Sequence, residues 1–246
     1  MSLTLTALAS RTTNVRTIWQ KELRSYFNSA MAYVVIVVFL SIVGWFFTSS
    51  LFLVNIASMR VVFEIIPTVF MFVIPAITMR LLSEERKSGT LELLTTKPLH
   101  DIEIVLGKFL GAWTLIAVAL VPTLVYFGTL AFLGEVDTGP VIGGYLGLML
   151  MAGVYIAFGL LASSLTDNQV VAFILGFLFI FALFMLDKVL IYVPEWMASE
   201  VEYLGVDYHF SGIARGVIDT RNIVYFVSAQ TVALLLATLS LERRKW

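Results

Sequence analysis

Apolar residues fill this chain in six long runs, at 30–53, 61–79, 109–133, 141–163, 169–186 and 223–241. A bilayer core of about 30 Å needs about 20 apolar helical residues, so each run predicts one membrane-crossing helix. The expected fold is all-α: one polytopic domain over 1–246 with six transmembrane helices. Pro67 and Pro75 fall inside the second run. Each removes a helix donor and predicts a kink, and neighbouring helices in a bundle re-satisfy the freed backbone.

The polar stretches between and before these runs carry pattern of their own. Val15, Ile18, Trp19, Leu23, Tyr26 and Phe27 recur at helical spacing, with Arg16, Gln20, Lys21 and Arg24 on the remaining surface. This predicts an amphipathic helix over 14–28 lying along the membrane surface, with Trp19 at headgroup level. It reads equally as a simple anchor or as a lever. Residues 1–13, rich in Ser and Thr and without acids, read as a solvated tail. At the other end of the chain, the long connection 187–222 holds short apolar pieces around Val189, Trp196 and Phe210. Re-entrant helices and an ordinary loop both fit them, because re-entrant backbone needs only a protein cover.

One insert stands apart. Residues 84–98, EERKSGTLELLTTKP, form the only long charge-dense stretch between two strongly apolar runs. Arg80 to Glu85 are expected to continue the second helix into water. Gly89, which tolerates φ > 0, then breaks it. Ser88 or Thr90 can cap a short helix carrying Leu91, Glu92, Leu93 and Leu94, and Lys97-Pro98 ends it. The leucines suit a lipid surface. With Glu84, Glu85, Arg86, Lys87 and Glu92 around them they also suit a groove on another protein. A plain turn between spans takes about two to eight residues, whereas this connection, 80–101, is more than twenty residues long. The extra length needs a reason.

Composition sharpens the class. Hydrophobic residues make up 59% of the chain and charged ones 13%, against about 25% charged in a soluble domain. This is an integral membrane protein in contact with a lipid bilayer. A net charge of −1 offers no basic stripe for nucleic acid. The absence of cysteine excludes disulfides and thiolate chemistry, and two histidines, His100 and His209, make a histidine-built metal site an unpromising reading. Lys and Arg set the orientation. Four precede the first run, five lie between Arg80 and Lys108 and three close the chain, so twelve of the sixteen share one side. Both termini and the insert are therefore expected in the cytoplasm.

Chemical motifs are weak. Gly107-Lys108 has Ile102 where a P-loop needs its first glycine and Phe109 where it needs Ser or Thr, so no ATP site is expected here. Glu84-Glu85 opens the EExxxR pattern of membrane proteases, but position 89 is Gly. An ion-coupled secondary transporter, the alternative reading, would need charge near mid-membrane. Glu64 is the only acid clearly within a run, one turn from Arg60, and reads as its structural partner. Gly107/Gly111 and Gly143/Gly147 have G-x-x-x-G spacing, which suits packing within one chain or between two.

GTLELLTTKP, placed after an acidic-basic cluster between spans two and three, resembles the ABC-2 class of ABC transporter permeases. The segments LTTKPLHDIEIVLGKFLGAW, YHFSGIARGVIDTRNIVYF and LSLERRKW resemble the gliding-motility-associated subfamily within it. The resemblance spans essentially the whole chain. It implies a half-transporter in a bacterial cytoplasmic membrane, acting in export. Its implied partners are a second permease, of a kind with a large extracytoplasmic domain, and two copies of a separate ATPase that holds the ATP and Mg. The insert would be the coupling-helix loop, with Glu84, Glu85, Arg86, Gly89, Thr90, Leu91, Glu92, Leu93 and Leu94 taking up ATPase motion. The 14–28 helix, through Val15, Ile18, Trp19, Leu23 and Phe27, would rest beside it.

Overall fold

The computed structural model describes residues 2–53, 58–90, 100–134, 136–189, 192 and 194–243. It is nearly all helical, with no strand among the described residues. A surface helix α1 (Ser2–Asn28) leads into α2 (Ala30–Phe52) and α3 (Arg60–Thr78), followed by a short α4 (Ser83–Lys87). Then come α5 (Asp101–Leu120), a 3-10 turn at Val121–Thr123 and α6 (Leu124–Leu133), which together make one long span. The remaining helices are α7 (Thr138–Leu165), α8 (Gln169–Val189), α9 (Glu195–Leu204), α10 (Val206–Ala214) and α11 (Thr220–Glu242). Six helical stretches are long and apolar enough to cross a membrane.

Helix α7 is the centre of the bundle, touching α3, α5, α8, α10 and α11. Its glycines explain how. A Cβ on Gly147 would lie 2.9 Å from the Phe210 ring, and one on Gly143 would run into the Ile213 carbonyl. The second G-x-x-x-G pair is therefore used inside the chain, as the seat of α10. Helices α2, α8 and α11 sit outside, with exposed apolar side chains such as Trp45, Ile174 and Leu235. In water such faces would associate; in a bilayer they meet lipid tails as apolar as themselves.

The structure departs from the pattern in four places. Helix α1 starts at Ser2, not near residue 14, so helix replaces the expected tail. Helix α5 starts at Asp101, eight residues before the apolar run, so Lys108 lies two turns inside a helix and not at its opening. Pro67 and Pro75 both lie inside a continuous α3, but the helix then lapses at 79–82 rather than running on through Arg80 to Glu85. In the 187–222 connection, α10 buries Val206, His209, Phe210 and Ile213. His209 is a satisfied core residue: its ring bonds Asn222 Oδ1 and the Tyr203 carbonyl, each at 2.8 Å, and stacks on Tyr225.

Candidate functional site

The described part of the polar insert, up to Thr90, meets α1 and α5 in a buried charged junction. On α1, Ile18, Glu22 and Tyr26 are four residues apart and all buried, so they form one stripe. That stripe lies on Gly107 and Gly111 of α5. A Cβ on Gly107 would come within 2.6 Å of Ile18 Cβ, and one on Gly111 within 2.8 Å of Glu22 Cβ. The first G-x-x-x-G pair thus seats α1 directly on the α5 backbone, again within the chain. Trp19 adds a bond from its indole to Thr114 Oγ1 at 3.0 Å, so its polar edge faces α5 and not a headgroup. Asn14 donates to Glu103 Oε2, which also accepts the His100 N–H at the start of α5.

This close approach places Glu22 beside Lys108. Lys108, only 2% exposed, donates to Glu22 Oε1 and lies equally close to Glu85 Oε1, at 2.9 Å each. Glu85 is also 3.3 Å from Lys21. One buried ammonium therefore ties α1, α4 and α5 together. Two lysines and two carboxylates balance, as buried charges must if they are not to neutralise. The Tyr26 hydroxyl and Glu85 Oε2 have no hydrogen-bond partner among the described residues. Both residues line a polar cavity of about 280 Å³, roomy enough for water. Burial pushes the Tyr26 hydroxyl far above the usual phenol range, so it stays neutral.

Helix α4 is fastened on its other side to α7 and the turn after it. The Ser163 hydroxyl accepts the N–H groups of Leu82 and Ser83 and donates to the Met79 carbonyl, each at 3.1 Å. It supplies the bonds that the helix itself lacks at 79–82, which is why the chain can pause there and restart. Arg86 pairs with Asp167 at 3.1 Å and donates to the Ser164 carbonyl. Arg80 grips Glu84 with two bonds, at 2.7 and 3.1 Å. Gly89 ends the element with φ of 70°, where a side chain would be strained. The hydroxyls of Ser88 and Thr90 both donate to the Glu85 carbonyl, closing off α4.

Of the residues singled out in the insert, Glu84, Glu85, Arg86, Gly89 and Thr90 gather at this junction. Leu91, Glu92, Leu93 and Leu94 lie outside the described residues. The three charges were expected to flank an apolar tip, but each is bonded within its own chain; Lys87 is the exposed one. On α1, Ile18 is at the centre of the contact and Val15, Trp19, Leu23 and Phe27 are half-buried. The pattern missed Glu22, Lys108 and Ser163. Glu22 had a signal, an acid placed within an otherwise apolar i, i+4 stripe. Among the described residues, no three His, Cys, Asp or Glu side chains are grouped to hold a metal. The junction joins three segments, α1, α4 and α5, through shared ion pairs.

A family model described as ABC-2 family transporter protein matches residues 16–246, so it takes in α1 from Arg16, the junction and all six candidate spans. No curated protein matches the chain. With that match running over nearly its whole length, the chain belongs to the ABC-2 transporter family and is a multi-pass membrane component of an ABC transporter, of the permease type.

Proposed function

We propose that this permease converts the motion of a separate ATPase into movement of its spans, through the segment 84–94. The observation that carries this reading is the Glu22–Lys108–Glu85 link. A surface loop whose only task was to join two spans would gain nothing from a buried ammonium shared by three segments. A push on α4 is passed by Glu85 to α5, which is part of a span, and to α1 beside it.

On this reading two ATPase copies serve a pair of permeases, with the termini and 80–101 in the cytoplasm of a bacterium. Leu91 and Leu94 make the docking contact, Lys87 and Glu92 steer it, and Glu84, Glu85 and Arg86 transmit. Transport is outward, the substrate is unassigned, and the second permease carries a large extracytoplasmic domain. The last two features of direction and partner are supported by the resemblance to gliding-motility-associated permeases.

The test is capture of the cognate ATPase by the solubilised permease, followed by reconstitution. Wild type should retain the ATPase, and Leu91→Ala with Leu94→Ala should release it, since interface anchors contribute about 2–4 kcal/mol. A protein that captures no ATPase yet accumulates substrate under an ion gradient alone is a secondary transporter, and the reading fails.

A further inference from the structure

The end of the bundle away from the junction holds a second, much larger cavity. It has about 960 Å³ and lies between the start of α3, the start of α7, the end of α8 and α10. That is the top of the range of small-molecule sites. Its walls are Phe63, Val141, Phe184 and Phe210, with Arg60, Lys188 and Arg215 among the polar residues. Helix α3 has 19 residues from Arg60 to Thr78, so at 1.5 Å per residue the cavity lies about 28 Å along it from the lapse before α4.

Among the described residues three cations and three carboxylates line the cavity, and one of the cations has no ion pair. Arg60 bonds Glu64 at 2.8 Å, and Lys188 bonds Asp207 at 3.1 Å. Asp137 Oδ1 accepts the Gly139 N–H and so caps α7. Arg215 is exposed and has no carboxylate partner among the described residues. A guanidinium cannot shed its charge and presents a fork of donors that matches phosphate oxygens.

We propose that this cavity binds an amphiphile with an apolar chain and an anionic, phosphate-type head, the chain lying among Phe63, Phe184 and Phe210 and the head on Arg215. Apolar walls alone would take any alkyl chain. Arg215, without a carboxylate partner among the described residues, selects the head. The site is distinct from the junction, so it stands or falls independently of the coupling reading.

The chain contains no cysteine, which makes a single-thiol experiment clean. Ser211 lines the cavity, and its hydroxyl donates to the nearby Tyr208 carbonyl. In the assembled, delipidated transporter, Ser211→Cys is labelled with a water-soluble maleimide in the presence of dodecyl phosphate, dodecyl maltoside or inorganic phosphate. Dodecyl phosphate should protect the thiol at a concentration about tenfold or more below that of the maltoside, the value of one charge-assisted contact. Inorganic phosphate should not protect. Adding Arg215→Gln should abolish the advantage of the phosphate head, while Val141→Trp, which fills the cavity, should weaken both detergents. Equal protection by the two detergents removes the head-group claim. Protection by inorganic phosphate reduces the site to a surface anion contact. A thiol that is shielded in the delipidated assembly with nothing added is covered by protein, and the proposal fails.

Discussion

Replacing Lys108 by methionine tests the junction most directly. The substitution keeps the length of the side chain and removes only the ammonium. Lys108 is 2% exposed, and its partners Glu22 and Glu85 are 12% and 15% exposed. Solvent screening is therefore slight, and breaking such a pair by removing one member costs about 3–5 kcal/mol. Glu85 keeps Lys21 at 3.3 Å; Glu22 loses the only ion pair described for it. At about 2–4 °C per kcal/mol for a chain of this size, the melting temperature should fall by roughly 6–20 °C.

A drop of that size shows that the charge matters, not that it transmits. The triple variant Lys108→Met, Glu22→Gln, Glu85→Gln separates the two. Replacing every member of a buried ion cluster is commonly neutral or even stabilising, so the melting temperature should return most of the way to wild type. Coupling should not return. Reconstituted with its ATPase, the triple variant should hydrolyse ATP at a rate that substrate no longer stimulates. Two results would sink the reasoning: Lys108→Met melting with wild type, or a stable triple variant with full stimulation.

Other outcomes follow from the same geometry. A Cβ added at Gly89 meets no atom within 4 Å among the described residues, so the cost of Gly89→Val is set by φ near 70°, about 1–2 kcal/mol; insertion should be normal, and stimulation of the ATPase should fall. Ser163→Ala should strand the N–H groups of Leu82 and Ser83, while the Met79 carbonyl keeps the Ser83 hydroxyl, at about 1–3 kcal/mol for each left without a partner, and Ser163→Thr should restore thermal stability if the hydroxyl is what counts. Reporters fused after Trp246 or within 86–97 should read cytoplasm, and reporters at Asp137 or Glu200 the opposite side; a cytoplasmic Glu200 would break the proposed topology.

How much of this was legible depends on the kind of information involved. The six spans could be read because lipid imposes its demand residue by residue, and runs such as AYVVIVVFLSIVGWFF satisfy it locally. Helix α5 shows where that logic stops. Its first eight residues, Asp101 to Lys108, include Asp101, Glu103 and Lys108, which lower the hydropathy of a segment that is nonetheless helical. The apolar run therefore begins at Phe109, and Lys108 stands just before it as one more cation of the positive side. Its partner Glu22 lies 86 positions away, and no local pattern links the two. The glycine pairs were visible, but only tertiary structure shows that Gly107/Gly111 seats α1 and Gly143/Gly147 seats α10. Ser163 sits at the end of an apolar run like any boundary serine. Its use becomes visible only once α3 is seen to lapse opposite it.

Glu85 has two cationic neighbours of different character, and this suggests how the junction could move. Lys108 is buried, while Lys21 is 59% exposed and slightly more distant. A displacement of α4 could exchange one lysine for the other without leaving the carboxylate alone, which avoids the several kcal/mol of an unpaired buried charge. A shift of about 1–2 Å is ordinary for helices in switching proteins. The hypothesis is that Lys21 holds Glu85 in the displaced state. As a surface pair, Lys21–Glu85 should contribute only about 0–1 kcal/mol at rest. Lys21→Gln should accordingly leave the melting temperature almost unchanged while lowering substrate-stimulated ATPase turnover, and Lys21→Arg should rescue it. If Lys21→Gln turns over like wild type, the second lysine is a bystander and Glu85 stays with Lys108 throughout the cycle.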